Sequence, residues 1–285
     1  MLRHARGRLD LSRRVVVAAV VNRTPDSFHD RGATFDLDAA VRSAIDAVAA
    51  GAAWVDLGGV ALATAHAVSA QQELDRIAPL VERVRVETDA VISVDTGRAT
   101  VAAEVLGLGA DVVNDTSGLA DQDMARVVAA AGAGLVLCHG GGVRTLETLR
   151  PTYDDVVAVV AEALLVGVSR AVAAGIGREQ IVLDPGPDLA KNTFHTLELL
   201  RRFDAFTGWG LPVMAAVSHK DFIGESLGVP PGALVDASVQ AAAWCVQLGA
   251  RVVRAHDVAA TVAMARWAEV LLGWAPPARA VHNLR

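Results

Sequence analysis

The stretch VISVDTGRATVAAEVLGLGADVVND, residues 91–115, contains one complete strand-helix-strand unit. A β-branched apolar run of strand length, Val91 to Val94, ends on Asp95, and an Ala-rich helical pattern follows it. The next short apolar run, Val112 to Val113, ends on Asn114. Strands that alternate with helices favour parallel β/α architecture, in which both polar residues stand at the carboxyl end of their strand.

The same unit recurs along the whole chain of 285 residues, without a run of consecutive strands and without an interdomain linker. Eight such units favour a single-domain α/β protein, a (β/α)8 TIM barrel, whose usual size is roughly 250 residues. A dinucleotide-binding sheet is the main competitor, but no Gly-x-Gly-x-x-Gly follows the first strand. Strands are predicted at Val15 to Val21, Ala53 to Leu57, Val91 to Val94, Val112 to Val113, Leu135 to Leu137, Ile181 to Leu183, Pro212 to Val217 and Val252 to Val253.

The composition argues against several classes of partner. With 26 basic and 32 acidic residues, the chain has no excess of positive charge for nucleic acid. The apolar stretch Val15 to Val21 is far shorter than the roughly 20 residues that cross a membrane. Cys138 and Cys245 lack metal-type spacing and are expected to be buried, reduced thiols of a cytoplasmic protein. Residues 1–14 are predicted to be a flexible basic terminus, and residues 15–285 the barrel.

Polar residues stand at or just beyond the ends of the strand-forming runs, where β/α barrels place their active sites. Taken singly, several of them could equally be turn formers or helix caps. Together, carboxylates beside amides can hold a flat heterocycle, and cationic groups beside them can hold an anion or a magnesium-bound phosphate. A covalent hydrolase is disfavoured because no nucleophile elbow is visible, and a glycosidase because only 4% of the residues are aromatic. These strand-end residues are Asn22, Asp56, Asp95, Asn114, Asp184, Lys220 and Arg254.

At these positions the chain resembles dihydropteroate synthase. The matching motifs run in order over nearly the whole length: Asn22-x-Thr24-Pro25-Asp26-Ser27-Phe28, Asp56-x-Gly58-Gly59, Ser93-Val94-Asp95-Thr96, Asn114-Asp115, Asp184-Pro185-Gly186, Ser218-x-Lys220-x-Phe222-Ile223-Gly224 and Arg254-x-His256-Asp257. The resemblance implies a homodimeric barrel that binds dihydropterin pyrophosphate, expels pyrophosphate with magnesium assistance, and joins the pterin to p-aminobenzoate for folate biosynthesis.

The resemblance also implies roles for individual residues. Asp95, Lys220 and Arg254 would take part in catalysis. Asn22 would be the magnesium ligand and would bind the pyrophosphate together with Arg254 and His256. The residues that would face the pterin ring are Asp56, Asn114, Cys138, Asp184 and Lys220.

The departures from the family pattern concern the second substrate. After Gly58-Gly59 the family carries Glu-Ser-Thr-Arg-Pro-Gly, whereas this chain reads Val60-Ala61-Leu62-Ala63-Thr64-Ala65-His66. The Ser-Arg-Lys of the seventh strand end has become Ser218-His219-Lys220, and the aromatic residue expected in the sixth loop is Leu189. We therefore expect a divergent homologue with weak or absent synthase activity. A fully active synthase, a non-catalytic protein that binds a pterin or another phosphorylated heterocycle, and a methyltransferase-type pterin barrel stay open, as do the roles of His66 and His219.

Overall fold

The computed structural model describes residues 1–24, 34–61, 68–140 and 151–283 and forms a β/α barrel. Eight parallel strands run in the order β8-β7-β6-β5-β4-β3-β10-β9, and a parallel bridge between Leu183 and Val213 closes the ring. Two short antiparallel strands, β1 (Leu2–His4) and β2 (Gly7–Leu9), precede it. The barrel strands are β3 (Val16–Asn22), β4 (Trp54–Gly58), β5 (Val91–Asp95), β6 (Val112–Asp115), β7 (Gly134–Cys138), β8 (Ile181–Asp184), β9 (Met214–Ala215) and β10 (Val252–Ala255).

Helices connect the strands and cover the outside of the ring. Several begin with the side-chain caps that their sequences offer: Asp36, Ser69, Asp155 and Asn192 each accept a hydrogen bond from a backbone N–H of the first turn. The α-helices of the described residues are α1 (Leu37–Ala49), α2 (Ala70–Glu87), α3 (Ala99–Gly107), α4 (Met124–Ala130), α5 (Val156–Ala173), α6 (Thr193–Arg201), α7 (Asp221–Leu227), α8 (Val235–Gln247) and α9 (Val258–Leu271).

Apolar residues separate into two kinds of core because side chains alternate along each strand. Outward-facing residues such as Val55 and Ile92 pack against the helices. Inward-facing residues such as Val16, Trp54 and Val112 form a separate cluster at the amino-terminal floor of the barrel. Helix α5 is long and apolar enough to cross a membrane by length and composition, but here it is one of the covering helices, with Val160 and Leu164 buried.

The amino terminus differs from its prediction. We expected residues 1–14 to be flexible, but β1 and β2 form a hairpin in which Leu2 is completely buried, and Leu11, which follows the hairpin, is 3% exposed. Both leucines belong to the floor cluster, and His4 Nδ1 lies 3.0 Å from Asp111 Oδ1. The hairpin is ordered because it closes an apolar floor that the barrel strands alone leave open.

The seventh barrel strand is shorter than predicted. The apolar run Pro212 to Val217 indicated a six-residue strand, whereas β9 contains only Met214 and Ala215. Pro212 has no N–H for the ladder, although its carbonyl still accepts from Leu183 N at 2.9 Å. The closing seam therefore consists of a few bonds, and the other strands match their predicted positions to within two residues.

Candidate functional site

The strand-end residues meet inside the carboxyl end of the barrel. Register pairs set Asp95 beside Asn114, and Cys138 beside Asp184, on neighbouring strands. Arg254 on β10 and Asp56 on β4 are separated by a single strand, β3, and both side chains point inward. This register places Asp56, Asp95, Asn114, Asp184 and Arg254 at one rim of the barrel, as their strand-end positions predict.

Arg254 is the centre of the site. Its Nε donates to Asp56 Oδ2 at 2.6 Å, and its Nη2 donates to Asp95 Oδ2 at 3.3 Å. Burial opposes the charge on the guanidinium, but the carboxylates of Asp56 and Asp95 outweigh it, so the pKa of Arg254 is raised. One fixed cation therefore joins two carboxylates that come from different strands.

Asp95 is a carboxyl group close to its protonation equilibrium at neutral pH. Burial raises its pKa to about 7, while the charge of Arg254 acts in the opposite direction and Asp56 adds a further increase. Thr116 Oγ1 donates to Asp95 Oδ1 at 3.3 Å. A carboxyl in this state can accept a hydrogen bond from a ligand or donate one to it.

Asn114 and its neighbour Asp115 serve different purposes. Asn114 points into the barrel, where its Nδ2 donates to Asp56 Oδ2 at 3.1 Å, and its buried Oδ1 has no hydrogen-bond partner among the described residues. Asp115 points outward and accepts from Ser117 N and Leu119 N, which fixes the turn after β6. A buried amide oxygen without a partner is costly, and its position suits a ligand donor.

Asp184 is held by the turn that follows it. Gly186 N donates to Asp184 Oδ1 at 2.8 Å, and burial raises the pKa of this carboxyl. Gly186 has φ +66, and a Cβ there would collide with the carbonyl of His139 and press on Cys138 Sγ. The turn therefore requires glycine and brings the buried Cys138 thiol close to Asp184.

Lys191 is a buried cation that the sequence did not single out. Its Nζ contacts His139 Nδ1 at 2.9 Å and donates to the carbonyls of Gly186 and Leu189. Burial lowers the pKa of Lys191 to about 8, and burial with the nearby lysine lowers that of His139 to about 4. This lysine ties the ends of β7 and β8 together. Its one sequence signal is that the chain has only two lysines, Lys191 and Lys220, and both stand in loops after strands.

The ends of β9 and β10 carry the other basic residues. His256 Nδ1 lies 3.1 Å from Ser218 Oγ, and the charge of Lys220 acts on the buried Asp184. His219 has φ +54 and is 8% exposed, and its Nε2 contacts the carboxylate of Asp257. His219 is thus paired with the residue that directly precedes α9.

Asn22 ends β3 at the same rim. Its side chain lies over Gly58, where any Cβ would collide with Asn22 Oδ1. Within the described ranges no group of three or more His, Cys, Asp or Glu residues could hold a metal ion. The Asn22 amide oxygen is a single oxygen ligand of the kind that Mg²⁺ uses, since this ion takes few protein ligands and keeps phosphate oxygens and water. Pro25 to Phe28 and Leu62 to His66, both part of the predicted site region, lie outside the described residues.

The comparisons with known proteins agree with this geometry. The sequence profile described as "Pterin binding enzyme" matches residues 18–256. The chain belongs to the pterin-binding enzyme family. It is 42% identical over 288 residues to a Mycobacterium leprae protein named inactive dihydropteroate synthase 2, with 98% of each chain covered. It is 36% identical to the dihydropteroate synthase of Escherichia coli, covering 93% of this chain and 94% of that protein.

Solved structures give the same assignment. The dihydropteroate synthase of Yersinia pestis, crystallised with a sulfonamide drug, superposes with a TM-score of 0.90 at 36% identity and covers 95% of this chain and 99% of its own. The resemblance to dihydropteroate synthase and the TIM-barrel prediction are both confirmed. The chain is a divergent homologue within this pterin-binding family.

Proposed function

We propose that the mouth of this barrel binds a dihydropterin pyrophosphate and that the chain condenses it with p-aminobenzoate weakly or not at all. The observation that carries the proposal is the buried acceptor Asn114 Oδ1, which lies in the same barrel mouth as Asp95, Asp184 and the fixed Arg254. Such a set of inward-pointing amide and carboxyl groups suits a flat ring with several N–H donors. Arg254 adds positive charge to that site.

The pterin-facing half consists of Asp95, Asn114, Asp184 and Lys220. Asp184 is buried and its turn supplies one hydrogen bond, from Gly186 N, so a ring donor would relieve a further part of the cost of its charge. Asp95, whose pKa is about 7, lies beside Arg254. When ionised it would stabilise the positive charge that develops on the pterin as the bond to pyrophosphate breaks.

The anion-facing half consists of Asn22, Arg254 and His256. These residues would hold the pyrophosphate, with Asn22 as the protein ligand of a Mg²⁺ ion. The ion would neutralise charge on the departing pyrophosphate oxygens. The protein's own contribution is to orient the anion, which Arg254 can do because two carboxylates already fix its guanidinium.

The second substrate is where the chain departs from a working synthase. Val60 and Ala61 replace the polar start of the family's loop, and the rest of that segment lies outside the described residues. His219, in place of the family's arginine, is engaged by Asp257. One preorganised donor contributes about 3 kcal/mol to a transition state, so the loss of an arginine and a closing loop can remove most of the rate. The Mycobacterium leprae relative is itself named inactive.

Two assays separate this proposal from its alternatives. Calorimetry with dihydropterin pyrophosphate and Mg²⁺ should show binding that Asp184→Ala abolishes, while dihydropteroate formation and rescue of a folate-requiring strain stay near background. Turnover close to that of the Escherichia coli enzyme would show a fully active synthase instead. The absence of any pterin binding, with Asp184→Ala indistinguishable from the parent chain, would refute the proposal. A separate assay measures methyl transfer from methyltetrahydrofolate to a corrinoid. Activity in that assay would show a methyltransferase-type pterin barrel instead of the function that we propose.

We also propose that the chain forms a homodimer, as the family resemblance implies. Large apolar side chains on the outer face of α9 support association: Trp267 is 62% exposed and Leu271 66%. Light scattering should give twice the 29.6 kDa chain mass. A monomer at micromolar concentration would contradict this expectation.

A further inference from the structure

Asp56 stands at the centre of a hydrogen-bond chain that begins on the barrel floor. Trp54 Nε1 donates to Ser93 Oγ at 2.8 Å, and Ser93 Oγ donates to Asp56 Oδ1. The other carboxylate oxygen, Oδ2, accepts from Asn114 Nδ2 and from Arg254 Nε. Trp54, Asp56 and Ser93 are each at most 1% exposed, so the chain is shielded from water.

Trp54 determines the direction of this chain. An indole N–H can only donate, so Ser93 Oγ accepts from it and has its single proton left for Asp56. Hydrogen bonds to a carboxylate are charge-assisted and short, which fixes the carboxylate plane. Both oxygens of Asp56 are therefore engaged by protein groups, which places Asp56 to act on a ligand through Arg254 and Asn114.

The packing around Trp54 explains why so large a side chain fits beneath the site. Ala18 on β3 pairs in register with both Trp54 and Arg254. Because the Ala18 side chain is only a methyl group, it leaves room inside the barrel for the larger side chains of Trp54 and Arg254. The floor cluster, which includes Leu2 and Val16, surrounds the indole and holds it in place.

We propose that Trp54 and Ser93 are positioning residues that hold Asp56 so that it orients the Arg254 guanidinium and the Asn114 amide toward an anionic ligand in the barrel mouth. The identity of that ligand rests on the proposed function, whereas the orientation of Arg254 can be measured without any ligand.

Trp54→Phe removes the indole N–H and keeps an aromatic ring on the floor. Ser93 can then rotate its hydroxyl away from Asp56, which loosens Arg254. We expect the Kd of inorganic pyrophosphate with Mg²⁺ to rise about threefold to tenfold, the range for one weakened hydrogen bond to a charged group. Ser93→Ala should have a similar effect. The double variant should bind pyrophosphate no more weakly than Ser93→Ala alone, because both substitutions break the same chain of hydrogen bonds.

Trp244→Phe is the matched control. The Trp244 indole also donates one hydrogen bond, to Leu200 O at 2.9 Å, but it lies on α8 outside the barrel. This variant should bind pyrophosphate like the parent chain. The positioning role is wrong if Trp54→Phe and Trp244→Phe raise the Kd of pyrophosphate equally. It is also wrong if the effects of Trp54→Phe and Ser93→Ala on that Kd add independently.

Nuclear magnetic resonance of the unliganded protein gives a second readout, which loss of stability alone would not change. The Arg254 Nε–H resonance should shift in Trp54→Phe and in Ser93→Ala but not in Trp244→Phe. The titration midpoint of Asp95 should rise, because Arg254 lowers it; Asp95 also faces Asp56 and Thr116, with Glu73 further away.

The two readouts separate this proposal from the proposed function. If the parent chain binds neither pterin pyrophosphate nor pyrophosphate, the proposed function fails, and the resonances of Arg254 and Asp95 still decide the positioning role. Should Trp54→Phe not fold, Ser93→Ala, which removes one oxygen, provides the same test. An unchanged Arg254 resonance in Ser93→Ala overturns the proposal.

Discussion

Replacing Arg254 with methionine tests whether this guanidinium stabilises the buried carboxylate of Asp56 and that of Asp95, whose side chain is 25% exposed. Its contacts are 2.6 Å to Asp56 and 3.3 Å to Asp95, and its side chain is 17% exposed. At an effective dielectric constant of about 20, each contact has a gross attraction of about 5–6 kcal/mol, most of which offsets desolvation. Removing one partner of a buried ion pair typically costs about 3–5 kcal/mol. We expect Arg254→Met to lower the free energy of unfolding by that amount at pH 8.

The loss should depend on pH with a defined sign. Burial already raises the pKa of Asp95 from 3.8 to about 7, and Arg254 opposes this shift, so its removal raises the folded-state pKa further. The folded variant then binds a proton that the unfolded chain releases, and its stability falls as the pH rises through that pKa. At pH 5.5 the protonated carboxyl carries no charge, and the destabilisation should be clearly smaller than at pH 8.

Urea unfolding followed by circular dichroism at pH 5.5 and pH 8 measures both values. Arg202→Met is the matched control, because Arg202 pairs with Asp155 at 3.1 Å but both side chains are more than 40% exposed. Exposed pairs of this kind contribute about 0–1 kcal/mol. A loss below about 1 kcal/mol for Arg254→Met at pH 8, or an equal loss at both pH values, would refute the reasoning.

Three further predictions follow from the same structure. Asp95→Asn should stabilise the unliganded protein at pH 8 by about 1 kcal/mol or more and have little effect at pH 4. The reason is that a carboxyl whose folded-state pKa is raised destabilises the fold only where it is ionised. Urea unfolding at both pH values checks this, and a loss of stability at pH 8 would contradict it. Leu2→Asp should lower the free energy of unfolding by about 2–5 kcal/mol, since it places a charge in the apolar floor, whereas Arg8→Asp on the exposed side of β2 should change little; a thermal melt in which both variants behave alike would show that the hairpin is not docked. Gly186→Ala should lower the free energy of unfolding by about 1–3 kcal/mol and weaken pterin binding, because φ is +66 and the Cβ collides with His139 O. Gly232→Ala, with open space around the added Cβ, is the control. A Gly186→Ala protein as stable as this control would disprove the strained-turn argument.

The sequence was informative about the barrel because the barrel strands repeat one local pattern. Short β-branched runs that end in a polar residue identify a parallel strand and its carboxyl end in the same few positions. The terminal hairpin has no such pattern. Leu2 and Leu11 are single apolar residues among arginines, and only the open floor of the folded barrel makes them part of a core. Long-range burial of this kind has no local signal in a sequence.

The site was predictable as a set of residues but not as a set of contacts. Asp56, Asp95, Asn114 and Arg254 do meet, as the strand-end pattern predicts. The pattern could not show that the carboxylate of Asp56 is engaged by protein groups on both oxygens, because this depends on Ser93, its register partner on β5, and on the hydrogen bond from Trp54 to Ser93. Lys191 could not be predicted as a buried cation for a similar reason. Its partners are backbone carbonyls of loops, which the identity of the residues does not indicate.

The electrostatics of the mouth distinguish a binding site from a decayed one. One buried and one mostly buried carboxylate around a single guanidinium are seldom the most stable choice, since apolar residues of similar volume often replace such a group with no loss of stability. The raised pKa of Asp95 shows that its ionised form costs the fold free energy, and the buried Asn114 Oδ1 adds a second cost. Selection for stability alone would retain neither the Asp95 carboxyl nor the Asn114 oxygen that has no partner among the described residues. Both costs are of the kind that the hydrogen-bond donors of a polar ligand would offset, so the mouth has the properties of a binding site even where the second-substrate loop no longer resembles that of a synthase.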